Sequence, residues 1–402
     1  MTHGTSALGA FDNELPADDL LGLQVGEDRA PVRSRDGAEG SPSSPRTIGV
    51  EEEFFLLWPD GSAALVARQL LDALPATTHF HAEWMQFQLE TVTGVCADLA
   101  SLHGELVAQR RAVQAVAERR GAKMVATGTA PFGDPGLAAL TDDHRYRRLE
   151  ARFPGPAADV VTCGCHVHVG VPSRELGVGA LNRVRLWLPV LLALSSNSPM
   201  WHGQDSGWES YRHEMFTHWP SARMPPSCSD AQAYDAALDE CISAGDADDP
   251  AGVYWFARLS PTYPTIEIRV ADTGLTVADT MLLAALCRAL VGTAIAESAD
   301  QRPITAVPEI LLESSMLGAA RFGLGGLLVD PVTGVLAPGY SVLYRLVEHV
   351  APWLRTAGEH GAVAALLAAR RSQRSGAARQ RGLREELSQD AFVSALAAAS
   401  LP

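Results

Sequence analysis

Residues 47–57 read Thr-Ile-Gly-Val-Glu-Glu-Glu-Phe-Phe-Leu-Leu, three consecutive carboxylates inside an apolar, β-prone run. An extended chain alternates its side chains between two faces, with same-face neighbours about 7 Å apart. Glu51 and Glu53 therefore share one face of this strand, and Glu52 takes the other. Side-by-side carboxylates repel unless a cation lies between or in front of them, and hard oxygen donors at this spacing suit Mg²⁺ or Mn²⁺. A strand start with solvated glutamates has the same spacing, so this stretch alone leaves both readings open.

The pattern recurs down the chain. Phe87–Thr93 reads as a second strand, with Gln88 and Glu90 on one face. From Cys163 to Val171 the alternation puts the valines on one face and His166 and His168, two metal-type ligands, on the other. In Pro264–Val270, Ile266, Ile268 and Val270 point inward, which leaves Glu267 and Arg269 together on the opposite face. A cross-face ion pair worth under ~1 kcal/mol would explain that last strand by itself. Three or four strands presenting Glu51/Glu53, Glu90, His166/His168 and Glu267/Arg269 from one side describe an antiparallel sheet with a wet, metal-lined surface. Helices would cover its apolar back, an α+β layer architecture.

Charge and composition exclude several classes. The 402 residues carry 32 basic against 47 acidic side chains, a net charge of -15, which argues against a nucleic-acid partner and against an anionic membrane surface. A single lysine, Lys123, leaves no Gly-x-x-x-x-Gly-Lys loop and almost no Schiff-base chemistry, so bound phosphate would have to be met by arginine and metal. The N-terminus has no basic region followed by a hydrophobic core, and Asp12, Glu14, Asp18 and Asp19 oppose export. The longest apolar stretches, interrupted by Pro189 and Arg288, read as too short or too mixed to span a bilayer. Six scattered cysteines without C-x-x-C spacing suit reduced thiols, and the expected compartment is the cytoplasm.

Residues 1–45, rich in Gly, Pro, Ser and Asp, read as a disordered leader, and 46–402 as one catalytic domain with a helical C-terminal part. Asp98 caps a helix that runs to Gly121, with its arginines expected mostly on the wet face. His144-Arg145-Tyr146 is polar enough to serve a site. Residues 177–194 read as one apolar helix, 230–244 as an amphipathic one and 276–297 as a long apolar one. The stretch from Ser195 to Arg212 is too polar and glycine-rich for core, so it reads as a long loop of the kind that carries function.

Four of these motifs in order resemble the carboxylate-amine ligases of the glutamate-cysteine ligase type 2 family. They are Gly-Val-Glu-Glu-Glu-Phe at 49–54, Cys-Gly-Cys-His-Val-His-Val-Gly-Val at 163–171, Asn-Ser-Pro at 197–199 through Ser-Tyr-Arg at 210–212, and Pro-Thr-Ile-Glu-Ile-Arg-Val-Ala-Asp at 264–272. The resemblance spans about Thr47 to Arg384. It implies the glutamine-synthetase-like fold, in which a curved antiparallel sheet bears ATP and its divalent ions and helices pack on its apolar back. It further implies ATP-dependent joining of the glutamate γ-carboxylate to the cysteine amine through an acyl phosphate, with ADP and phosphate released. Carried over, Glu51, Glu53, Glu90 and Glu267 resemble ligands of Mg²⁺ or Mn²⁺, and His166 or His168 stands beside the phosphates. Arg269 resembles the arginine that meets the transferred phosphoryl group, and Arg212 is the second catalytic arginine. Met200, Ser206 and Thr273-Gly274 depart from the family pattern at positions flanking the amine pocket, so another amine could replace cysteine. The partners implied are small molecules, and the oligomeric state is open, a homodimer included. A guanidino-type phosphotransferase on the same fold and a metal-dependent amide hydrolase are the alternatives.

Overall fold

The computed structural model describes residues 45–133 and 135–401. The expected leader therefore lies, apart from Pro45, outside the described residues. The strands are β1 (Ile48–Leu57), β2 (Phe80–Ala82), β3 (Gln88–Val92), β4 (Lys123–Val125), β5 (Gly164–Gly170), β6 (Met200–Trp201), β7 (Gln204–Asp205), β8 (Ala257–Leu259), β9 (Thr265–Asp272), β10 (Leu327–Val329) and β11 (Leu336–Pro338). Seven of them form one antiparallel sheet in the order β2-β3-β1-β5-β9-β8, with β4 pairing the far end of β1. The motif strands β1, β3, β5 and β9 are thus its consecutive centre.

Register converts the alternation into a surface. Glu51 stands opposite His166, Glu53 opposite Glu90, and His168 opposite Glu267. A bulge between Cys165 and Val167 shifts the β5–β9 pairing by one residue, the kind of irregularity that re-aims side chains beside active sites. The other face carries Val50, Val167, Ile266, Ile268 and Val270, all fully buried. Against it pack the helices Leu99–Arg119, Leu188–Ser195 and Val277–Ala299. Asp98 caps the first of them as expected, accepting from the Ser101 N–H at 2.8 Å, and Thr276 with Asp279 forms a capping box at the start of the third.

Several local readings change. The apolar stretch read as one helix is three pieces, Arg174–Val184, a 3-10 turn Arg185–Trp187 and Leu188–Ser195. Pro189 lies in the first turn of the third piece, where its missing N–H costs no helical bond. Arg174–Ser195 and Val277–Ala299 do have the length and hydropathy of membrane spans, contrary to the sequence reading, but those windows are 78% and 83% buried within the fold. They cover the sheet. Nor is every arginine of the 99–119 helix wet. Arg110 is fully buried and pairs with Glu52, whose carboxylate also accepts from Thr280 Oγ1 at 2.6 Å. The same guanidinium donates to the carbonyls of Gly274 and Ser400, so it ties sheet, helix and C-terminus together.

The two ends of the segment 195–212, expected to be a functional loop, are core, whereas residues 201–209 between them are half-buried or exposed. Ser196, Asn197, Ser198 and Ser210 are essentially inaccessible. Their polar groups converge on the buried Asp272 carboxylate, which accepts from Asn197 N, Ser198 Oγ and Ser210 Oγ, each at 2.7 Å. Polar sequence was mistaken for solvation because each polar group finds its partner inside.

Candidate active site

The wet face of the sheet floors a cavity of about 830 Å³. Glu51, Glu53, Glu90, His166, His168, Glu267 and Arg269 all line it, so the strand faces bring together every residue assigned to them; Arg212, expected from the family resemblance, stays outside. Donor atoms of Glu51, His166 and Glu267 lie within 4.8 Å of one another, as do those of Glu53, Glu90 and His166. Two overlapping ligand groups thus share one imidazole. Carboxylate oxygens with a single imidazole form a hard donor set that fits Mg²⁺ or Mn²⁺.

Glu51 sits between two imidazoles, with His166 Nδ1 at 3.0 Å from one oxygen and His168 Nε2 at 3.1 Å from the other. Burial pushes its carboxyl up, but the hydrogen bonds and charges of His166 and His168 outweigh that and hold it below the usual carboxylate range. Glu53 accepts the Gly164 N–H at 2.6 Å and keeps its other oxygen 3.8 Å from His166 Nε2. Glu90, directly across from Glu53, has no ion-pair partner among the described residues. Burial and the charges of Glu51, Glu83 and Glu53 push its carboxyl well up. Glu83, which the sequence reading missed, is pushed up to about 8 by burial and by Glu53. Both carboxyls are thus pushed towards their protonated form, as crowded buried acids are.

Glu267 is held differently. Arg258 grips it with two hydrogen bonds, 2.8 and 3.2 Å, and Arg269 pairs with its Oε1. Burial raises it, yet Arg269 and Arg258 keep it below its ordinary range. Burial alone would lower Arg269, but the Glu267 carboxylate raises it. Its guanidinium lies 5.8 Å over the Tyr254 ring, and its Nε, though buried, has no hydrogen-bond partner. The ion pair expected as the plain alternative is therefore present, with a second arginine added from β8.

Arg212 lies behind the cavity wall. It is 2% exposed and lines no part of the cavity. Its guanidinium donates to the backbone carbonyls of Arg269 and Val270 at 3.3 and 3.4 Å and presses on Gly164, where a Cβ would fall 2.3 Å from Nη2. Such a group positions the strand under Arg269. Met200, Ser206, Thr273 and Gly274 do not line the cavity either, so the departures from the family pattern fall on the scaffold. Of the 144–146 triplet, Arg145 and Tyr146 reach the lining and His144 does not. Arg68, Arg258 and Arg269 each pair with a carboxylate, whereas Arg145 has no ion-pair partner among the described residues. Glu83, Arg258, Tyr254 and Arg145 come from short or irregular segments without alternation; only the polar cluster at 144–146 carried a sequence signal.

The sequence profile of glutamate-cysteine ligase family 2 matches residues 47–396. A protein of Salinispora tropica named "Putative glutamate--cysteine ligase 2" is 42% identical over 361 residues, 89% of this chain and 95% of that one. A relative of the same name from Salinispora arenicola is 40% identical over 92% of this chain and 98% of its own length. Among solved structures, glutamate-cysteine ligase from Francisella tularensis in complex with AMP superposes with a TM-score of 0.67 at 11% identity, covering 88% of each chain. A bifunctional glutathione synthetase from Pasteurella multocida gives 0.64 at 13% identity over 88% of this chain and 52% of its own. The fold is thus that of the glutamine-synthetase-like ligases, and with the profile match across the whole sheet and its helices, the chain belongs to glutamate-cysteine ligase family 2.

Proposed function

We propose that the chain is an ATP-dependent carboxylate-amine ligase that joins the γ-carboxylate of glutamate to the amine of cysteine. One observation carries this reading: two three-residue ligand groups overlap at His166 on the floor of a cavity that also holds guanidiniums. Glu51, Glu53, Glu90 and Glu267, with His166, would hold Mg²⁺ or Mn²⁺, which supplies charge neutralisation at the β- and γ-phosphates. A single amide hydrolysis site needs one metal and no guanidinium at a transferring group. Two groups with an arginine beside them fit a triphosphate better, and the AMP complex of a structural neighbour supports a nucleotide here.

A carboxylate is a poor electrophile. Its oxygen attacks the γ-phosphorus, the bond to the β-phosphate oxygen breaks and ADP leaves; the amine then attacks the acyl carbon, and phosphate departs with the bonding pair. Arg269 is placed to follow the phosphoryl group. It is raised and hence always charged, its Nε is unpaired, and phosphate offers a fork-shaped partner better matched than one shared carboxylate oxygen. Arg258 would then keep Glu267 ionised while Arg269 swings over. Arg145, the unpaired cation of the wall, would take the substrate's α-carboxylate, because an anion entering so acidic a cavity needs a counter-charge.

The test is ADP release with glutamate present, screened over amino acids and amines, with product mass. An amide product supports the ligase. A phosphorylated amine assigns the phosphotransferase, and amide cleavage without nucleotide assigns the hydrolase. In the ligase, Arg269→Lys should lower kcat about ten-fold or more and leave ATP affinity within a few-fold, because the fork is needed only as charge develops.

A further inference from the structure

We infer that a second cavity, walled by the helices Tyr211–Phe216 and Glu309–Phe322 and the segment 222–224, is a binding site for a small primary amine. Its volume is about 220 Å³, and none of its lining residues lines the cavity over the sheet. Sites for drug-sized ligands run to about 300–1,000 Å³, so this one suits a smaller molecule. Its wall divides by chemistry. Ala222, Met224, Phe256 and Met316 are buried apolar side chains, and Leu317, 51% exposed, extends the apolar side to water. The charged side consists of Glu214, Glu313 and Arg223.

Arg223 pairs with Asp246, which cancels its charge. Glu214 and Glu313 have no ion-pair partner among the described residues, so the wall is net negative and favours a cation. Acids by themselves are ordinary surface residues. His213 adds the independent signal. It lines the cavity at 5% exposure, its ring packs on Phe256 with centroids 4.9 Å apart, and the ring makes no hydrogen bond among the described residues. Buried polar groups are rarely left without a partner. Burial, and after it the Arg212 charge, push the ring down to about 3, so it is neutral at ordinary pH and offers one nitrogen lone pair.

These acceptors select the ligand. A primary ammonium has three N–H donors and no acceptor, which matches two carboxylates and a neutral imidazole nitrogen. A quaternary ammonium would leave His213 unpaired, and an anion would meet the unpaired glutamates. A short alkyl tail suits Met224 and Met316, whose flexible thioethers adapt to irregular apolar shapes. The wall is also continuous with the backbone of the sheet cavity. Phe256 accepts from the Arg269 N–H at 2.9 Å and donates its own N–H to the Arg223 carbonyl at 3.0 Å. Arg212, next to His213, donates to the carbonyls of Arg269 and Val270. An amine seated here bears on the strand that carries Arg269, and any change it makes in nucleotide affinity must be returned by the nucleotide in equal measure.

The test is calorimetric titration of n-pentylamine into the full chain, which needs no turnover and so stands apart from the proposed ligase reaction. One amine per chain is expected, while n-pentanol and pentanoate, with the same tail, should not bind. Glu214→Gln and Glu313→Gln, at half-buried and exposed positions, should each weaken binding about three-fold or more, and together about ten-fold. His213→Phe keeps a ring against Phe256 and removes the nitrogens, so it should also weaken the amine; should it melt lower than wild type, the glutamate variants decide. A saturating magnesium complex of a non-hydrolysable ATP analogue, with glutamate, should change the amine affinity by no more than a few-fold. No binding of n-pentylamine, equal binding of n-pentanol, unchanged affinity in the double glutamate variant, or full displacement by the nucleotide analogue overturns the inference.

Discussion

Glu52 and its two neighbours on β1 are the same residue type one position apart, yet they end in opposite situations. Glu52 faces the helices, fully buried, with Arg110 on both its oxygens and Thr280 as a third donor. Glu51 and Glu53 face the cavity, where four carboxyl groups crowd together and two of them, Glu83 and Glu90, are pushed up by burial and by their acidic neighbours. A satisfied charge marks scaffold, and a cluster of under-compensated charges marks the place where a ligand belongs.

The comparison breaks most visibly at Glu52. Glu52→Gln leaves the Arg110 guanidinium buried without its counter-charge, which should cost about 3–5 kcal/mol of stability. The measurement is denaturant unfolding, with Mn²⁺ affinity of the folded fraction unchanged. Little loss of stability would mean that the back-face pair is no scaffold. Next comes the cavity side. Glu90→Gln should lower metal-nucleotide affinity at least ten-fold, since it deletes a ligand of one group. In metal-free protein the same change should raise stability by up to about 1 kcal/mol, because burial and the neighbouring carboxylates penalise ionisation of the Glu90 carboxyl, a cost that an amide does not carry. A metal-free variant that melts lower than wild type would place Glu90 with the scaffold.

Acidity sharpens the same contrast. Unfolded, Glu83 would release its proton near 4.5; folded, it keeps it to about 8. Above 4.5 the folded state therefore binds more protons than the unfolded one, and metal-free stability should fall as pH rises from about 4.5 to about 8. Mg²⁺ should flatten the slope by replacing those protons. Melting curves at pH 6 and 8, with and without Mg²⁺, check this, and identical metal-free values at both pHs would contradict it. The smallest effect is expected at Arg145. Arg145→Ala should raise the KM for glutamate about ten-fold with the KM for ATP and the melting temperature nearly unchanged, and steady-state kinetics would show a uniform loss instead if Arg145 met the nucleotide.

What could be read from the sequence follows from periodicity. Strands β1, β3, β5 and β9 alternate cleanly, so the faces of Glu51, Glu53, Glu90, His166, His168, Glu267 and Arg269 were assigned correctly, and antiparallel pairing then brought them together. Arg110 and the two ends of the 195–212 segment were misread because a buried polar group looks like a solvated one until its partner is known. Those partners, Glu52 and Asp272, lie 58 and 60 or more residues away. Glu83, Arg258 and Arg145 reach the cavity through loops, short strands and a helix start, where no two-residue or 3.6-residue rhythm announces a face.

The claim that the wet face is a divalent metal and nucleotide site is tested most directly by counting bound Mn²⁺ by electron paramagnetic resonance in the presence of a non-hydrolysable ATP analogue. Two ions per chain are expected from the two ligand groups. Glu90→Gln should remove one and Glu52→Gln neither, in samples shown to be folded. No bound Mn²⁺ in the wild type, or equal loss from both variants, would contradict the account.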